Sequence, residues 1–98
     1  MSEIMQASCV AVGGRGILIQ GPPGSGKSSL ALALLDRGAE LIGDDGVTLA
    51  ARSGAVWASP PPHIAGLIEV RNVGLLTRPV AGSAPVALTL VLDYAAPR

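Results

Sequence analysis

Gly21-Pro22-Pro23-Gly24-Ser25-Gly26-Lys27-Ser28 decides how this chain is read. The stretch fits G-x-x-x-x-G-K-[ST], the loop that cradles phosphates in nucleotide-using proteins. Its flanks supply the context that the motif needs. Gly16-Ile17-Leu18-Ile19-Gln20 before it reads as a buried strand, and Ser28 to Arg37 after it reads as a helix. Lys27 is the only lysine in the chain, every other cationic side chain being arginine. That usage points to a need for a compact ammonium at this position instead of a guanidinium fork.

Each part of the stretch meets a requirement of a polyphosphate. Gly21, Gly24 and Gly26 let the backbone curl so that successive amides turn inward as an anion-binding nest. The helix behind the loop adds its unpaired N-terminal donors and the positive end of its dipole. Lys27 is placed to reach the β- and γ-phosphates, and the Ser28 hydroxyl to ligate Mg²⁺. Pro22, Pro23 and Ser25 complete the nucleotide-contacting loop. The alternative reading is a Gly/Pro-rich turn between a strand and a helix. The ordered strand, loop and helix favour binding of ATP or a related triphosphate.

The bulk composition sets limits around this motif. A chain of 98 residues allows one small domain. It is 49% hydrophobic but only 2% aromatic, so its core must be built from Ala, Val, Leu and Ile. A formal net charge of +0 gives no support to a nucleic-acid partner or an anionic membrane surface. Cys9 stands alone, which excludes an internal disulfide and suits a reducing cytoplasm. No apolar run reaches the length needed to span a bilayer, and the acidic Glu3 near the start does not fit a secretory leader.

Working outward from the loop, Ser8 to Val12 and Ile17 to Gln20 flank Gly13-Gly14-Arg15-Gly16 as a hairpin. In the helix, Leu30, Leu34 and Leu35 recur at helical spacing, and Gly38 stands where a C-terminal cap belongs. Glu40 to Gly43 is a short strand ending on Asp44-Asp45. Val47 to Ala51 and Ala55 to Ala58 bracket a second hairpin turn, and Ser59-Pro60-Pro61-Pro62 is a rigid connector. A strand is expected around Ile68 to Val70, a loop over Asn72 to Ala84, and a last strand over Ala84 to Leu92. One βα unit among hairpins predicts an α/β domain with a mixed sheet. The final strand lies close to Arg98, and a P-loop domain ordinarily needs more crossovers. The expectation is a single P-loop kinase domain over 1–98, truncated at its C-terminus.

Asp44 and Asp45 form the second candidate site. They close the strand after the P-loop helix, where ligands of open α/β sheets gather beyond the strands' carboxyl ends. One carboxylate there can hold Mg²⁺ and the other can take a proton from a substrate hydroxyl. An ordinary Asp-Asp-Gly turn is the competing reading. Glu69 and Arg71 share a face if Ile68 to Arg71 is extended, and they would then offer a metal ligand and a phosphoryl-stabilising cation. An exposed strand pair is the simpler account of those two. His63 reads as a surface residue, Trp57 as core or hairpin packing, and Cys9 as packing.

Together these stretches resemble the catalytic domain of the HPr kinase/phosphorylase family, bacterial enzymes acting on a serine of the phosphocarrier HPr. The resemblance runs from Ser8 to about Asp93. It rests on Gly16-Ile17-Leu18-Ile19 leading into the P-loop, Leu30-Ala31-Leu32 with Arg37-Gly38, and Leu41-Ile42-Gly43-Asp44-Asp45. It continues in Gly66-Leu67-Ile68-Glu69-Val70-Arg71-Asn72-Val73-Gly74-Leu75-Leu76, which is similar to the family's Leu-Glu-Ile-Arg-Gly-hydrophobic-Gly signature. The short length is similar to the reduced alphaproteobacterial forms.

The resemblance implies an HPr kinase/PEP carboxykinase-like fold and an ATP- and Mg²⁺-dependent protein-serine kinase. It also implies an HPr-like substrate in phosphotransferase-system regulation, a homo-oligomer (a hexamer in the family) and a cytoplasmic location. By position, it makes Asp45 the group that accepts the serine proton, and Lys27 the phosphate contact. It makes Ser28 and Glu69 metal ligands, Asp44 their support, and Arg71 part of the segment used in catalysis. Three departures bear on this. Gln6-Ala7-Ser8 stands where the family has a histidine, Asn72 replaces a glycine, and the family's later arginine and C-terminal segment fall beyond residue 98. The first and third bear on the reverse, phosphorylase direction. A nucleotide-binding module without catalysis and a small-molecule P-loop kinase remain as alternatives.

Overall fold

The computed structural model of the chain describes residues 2–44, 46–61, 67–70, 74–77 and 82–93. Nine strands and one helix run in the order β1 (Ser2–Met5), β2 (Ser8–Val12), β3 (Arg15–Gln20), α1 (Lys27–Asp36), β4 (Glu40–Gly43), β5 (Val47–Arg52), β6 (Ala55–Ser59), β7 (Leu67–Val70), β8 (Gly74–Thr77) and β9 (Ala84–Val91) among the described residues. Seven strands form one sheet in the order β1-β5-β6-β9-β3-β2-β4, and β7 and β8 pair separately. β3 and β9 are parallel and the other pairs antiparallel, giving the expected mixed sheet.

Turn chemistry fixes the hairpins. Gly13 (φ 58°) and Gly14 (φ 79°) join β2 to β3 in a two-residue turn with both positions left-handed. This is the twist that a right-twisted antiparallel pair accepts. Ser53 (φ 52°) and Gly54 (φ 81°) do the same between β5 and β6. Across that hairpin the Arg52 guanidinium lies 4.1 Å from the centroid of the Trp57 ring, so Trp57 is a hairpin-packing residue.

Strand alternation sends side chains to both faces of the central strands. Cys9, Ala11, Leu18 and Ile42 join Val47, Ala58 and Ala84 in one cluster. Val10, Ile19 and Leu41 join Ala31 of α1 in the other, with Leu30, Leu34 and Leu35 packed around it. Burial on both faces explains why β2, β3 and β4 read as nearly continuous apolar runs. Ile19, Leu41, Ile42, Val10 and Val47 are the largest fully buried side chains. Each contributes about 1.5–3 kcal/mol by leaving water. The core is thus aliphatic, as the composition requires.

α1 stops in a Schellman arrangement. The Gly38 amide donates to the Leu35 carbonyl (3.1 Å) and the Ala39 amide to the Leu34 carbonyl (3.1 Å), with Gly38 at φ 102°. Gly38 is therefore the expected cap, while Arg37 lies just outside the helix.

Two expectations need correction. The stretch Asn72 to Ala84 is not wholly a loop, because Gly74–Thr77 pairs with Leu67–Val70 as β8. Glycine and proline in that stretch suggested a loop, but pairing to β7 supplies a strand that the local composition does not announce. Ser2–Met5, with no strand assigned to it beforehand, is an edge strand held by β5. Its mixed, mostly exposed residues carry no alternation of their own.

Candidate functional site: a phosphate-binding loop closed by a buried aspartate

The sheet topology gathers three strand ends. β9 runs parallel to β3, and β4 has the same direction because each is antiparallel to β2. The carboxyl ends of β3, β4 and β9 therefore open on one side, where switch-point sites form. The P-loop leaves β3 there, Asp44 leaves β4, and Leu92-Asp93 leave β9. The Leu92 amide donates to the Gln20 carbonyl (2.7 Å), which carries the β3–β9 pairing up to the mouth of the loop.

The loop folds as its sequence dictates. The Ser25 amide donates to the Pro22 carbonyl (3.1 Å), and Gly26, at φ 100°, caps α1 from the left-handed region. A left-handed residue immediately before the helix turns the chain sharply enough to aim the first helical amides at the loop's concavity. No acidic residue occupies the first turn of α1. The positive end of the helix dipole is thus not neutralised from within that turn. Lys27 folds back across the loop, and its Nζ donates to the Gly21 carbonyl at 2.7 Å. Ser25 Oγ is buried without a hydrogen-bond partner among the described residues. It lies against Gly21, where an added Cβ would come within 2.6 Å of it and within 2.9 Å of the Leu92 carbonyl oxygen.

Asp44 ties the loop to the sheet. Its side chain, 5% exposed, accepts a hydrogen bond from Ser28 Oγ at 2.7 Å and another from Ser8 Oγ at 2.8 Å, both on Oδ1. Two of the expected metal-site residues, Ser28 and Asp44, are thus in contact. Ser8 is the participant that sequence reading missed. Its signals were a hydroxyl in an otherwise apolar strand and its place in Gln6-Ala7-Ser8, where the family has a histidine. Cys9, its neighbour, is an inert packing thiol whose burial pushes it up to about 12.

The other expected residues are less fully placed. Glu69 lies in β7 opposite Leu75, and β7 runs beside α1. Asp45, Arg71 and His63 lie outside the described residues. Among the described residues, no cluster of three His, Cys, Asp or Glu side chains could hold a metal by itself. A hydroxyl beside a carboxylate does fit Mg²⁺. That hard ion keeps several waters and takes one or two protein oxygens together with substrate phosphates. Ser28 and Asp44 would hold it.

No helix is long and apolar enough to cross a membrane among the described residues.

Known proteins are similar to this chain. The family described as "HPr Serine kinase C-terminal domain" matches residues 1–85. An HPr kinase/phosphorylase of Streptococcus thermophilus is 37% identical over 93 residues, covering 87% of this chain and 30% of that protein. An HPr kinase/phosphorylase of Clostridium botulinum is 45% identical over 67 residues, covering 68% of this chain and 22% of that protein. The solved structure of the HPr(Ser) kinase/phosphatase from Coxiella burnetii superposes with a TM-score of 0.82 at 29% identity, over 91% of this chain and 58% of that one. The chain spans less than a third of the length of these curated relatives. With a family match across most of its length and a relative 37% identical over 87% of it, the chain belongs to the HPr serine kinase C-terminal domain family.

Proposed function

We propose that this chain is a single P-loop kinase unit that transfers the γ-phosphoryl group of ATP to a serine of an HPr-like phosphocarrier protein. The observation that carries the reading is the Ser28–Asp44 hydrogen bond, which sets a carboxylate against the first turn behind a phosphate-binding loop. That pairing is of use to a triphosphate with its metal, and has no evident purpose in a plain turn.

The loop amides and the N-terminus of α1 hold the phosphates, and Lys27 exchanges its Gly21 carbonyl for a phosphate oxygen. Ser28 and Asp44 would hold Mg²⁺, which would supply positive charge to the nucleotide's phosphates. Asp45 takes the proton of the acceptor serine hydroxyl as its oxygen bonds to the γ-phosphorus and the bond from that phosphorus to the β,γ-bridging oxygen breaks, releasing ADP. Glu69 completes the metal's surroundings and Arg71 stabilises charge on the transferring group. The family resemblance supports these last three assignments, together with a homo-oligomeric assembly and a cytoplasmic location.

The test is transfer of label from γ-labelled ATP and Mg²⁺ to a purified HPr-type protein. Labelled phosphoserine on the carrier is the expected result. Tight nucleotide binding without transfer would instead identify a binding module, and transfer only to small hydroxyl compounds would identify a small-molecule kinase.

A further inference from the structure

Ser8 is fully buried and opens β2, opposite Ile19 near the carboxyl end of β3, on a strand that carries neither the loop nor Asp44. β2 pairs on one side with β3, which feeds the P-loop, and on the other with β4, which delivers Asp44. From that intervening strand Ser8 Oγ donates to Asp44 Oδ1 at 2.8 Å, across 36 residues of sequence. The same oxygen takes the Ser28 hydroxyl at 2.7 Å.

The two donors differ in what a ligand does to them. Ser28 is partly exposed at the start of α1, and its oxygen must reorient when it ligates a cation. Ser8 sits in the dry interior, where a hydroxyl without its partner carries the full desolvation penalty. Its hydrogen bond therefore persists while Ser28 changes partners, and it holds the Asp44 carboxylate in one rotamer through that change.

We propose that Ser8 is a positioning residue of the metal–nucleotide site, acting through Asp44. It pre-sets the carboxylate so that binding a divalent cation beside Ser28 requires no reorientation of Asp44. A partner that orients a ligating group in this way typically alters metal affinity on the order of 10–100-fold when removed. The inference rests on the nucleotide reading given above, and the experiment separates the two.

Mn²⁺ binding to the 98-residue chain saturated with ATP is measured by electron paramagnetic resonance, and ATP binding in EDTA by calorimetry. The proteins compared are the parent chain, Ser8→Ala and Ser8→Thr. Ser8→Ala is expected to weaken Mn²⁺ on the order of ten-fold and to leave ATP affinity in EDTA unchanged. Ser8→Thr, which keeps the hydroxyl, is expected to restore Mn²⁺ affinity. If Ser8→Ala fails to fold, Ser8→Cys takes its place with the same expectation, since a thiol fills the space with a poor donor. Unchanged Mn²⁺ affinity would overturn the proposal. So would an equal loss with and without metal, which would make Ser8 a purely structural residue. A parent chain that binds no ATP under either condition would overturn the nucleotide reading itself.

Discussion

Ser28, in the first turn of α1, and Asp44, just past β4, are joined by a 2.7 Å hydrogen bond that spans 16 residues of sequence. The strand that carries the carboxylate is not the strand that carries the loop. β2 separates them, so the bond fastens the P-loop helix to the far edge of the sheet. Removing the carboxylate leaves the buried Ser8 hydroxyl without this acceptor, a loss of about 1–3 kcal/mol. Asp44→Ala is therefore expected to lower the thermal midpoint and also to weaken Mg²⁺-dependent ATP binding by roughly ten-fold or more. Calorimetry with and without EDTA checks the second effect independently of the first.

Asp45 follows immediately, and its assigned chemistry is proton acceptance. Asp45→Asn keeps the shape and removes the base. Phosphotransfer is expected to fall by about 100-fold or more, with ATP affinity little altered. Equal loss of binding and transfer would make Asp45 a binding residue instead.

Lys27 spans the loop by donating to the Gly21 carbonyl, an internal cross-brace. A charge-assisted bond at a partly exposed site is worth on the order of 1 kcal/mol, whereas the same ammonium against a polyphosphate neutralises developing charge. Lys27→Ala should thus leave the thermal midpoint within a few degrees while reducing transfer far more. Lys27→Arg should fail to rescue it, since a planar fork does not fit where a compact charge crosses the loop. Melting curves and transfer rates on the two variants decide the matter.

What was legible in the sequence follows from how local the signals are. The P-loop, the Gly38 cap and both glycine-containing hairpin turns are short-range chemistry, and the structure forms each of them, the first turn tighter than read because Arg15 and Gly16 belong to β3. Ser28 and Asp44 were both expected at the metal site, one from the P-loop and the other from the end of the following strand, although the sequence contains no mark of the bond between them. Ser8 was not expected in the site, since its role exists only through strand pairing that brings β2 between β3 and β4. β8 and β1 were missed for the same reason: a partner strand, and not their own composition, makes them strands.

Cys9 offers a pH-dependent readout of core integrity. Burial raises its thiol from 9.0 to about 12 because the thiolate would lose hydration in an apolar cluster. A raised value means that the folded state holds its proton more tightly than the unfolded chain. The resulting stability is fully present below pH 9.0 and is lost progressively as pH climbs towards about 12. The native protein should therefore resist iodoacetamide at pH 8.5–9, a range set by the ordinary thiol value of about 8.5, and denaturant should expose the thiol to rapid alkylation. Mass spectrometry after a timed pulse measures both. Rapid alkylation of the folded protein would show that this cluster opens readily.

Gly43 ends β4 immediately before Asp44, and space rather than backbone conformation restricts it. A Cβ at this position would fall on the Gly46 carbonyl oxygen and lie 3.2 Å from Pro61 Cδ. The obstacle includes main chain, so relief requires the turn carrying Asp44 to shift. Gly43→Ala is expected to destabilise the fold by about 1–3 kcal/mol, the usual range for overpacking, and to displace Asp44 from Ser28. Gly82 is the matching control, since a Cβ there meets nothing within 4 Å. Gly82→Ala should be neutral or stabilising by up to about 1 kcal/mol through the unfolded chain's lost freedom. Paired urea titrations give the stabilities. ATP binding with Mg²⁺ then reports whether Gly43→Ala, under conditions where it remains folded, has also lost the geometry of the loop. Retention of full metal-dependent binding by the folded variant would show that the site tolerates movement of the β4–β5 turn.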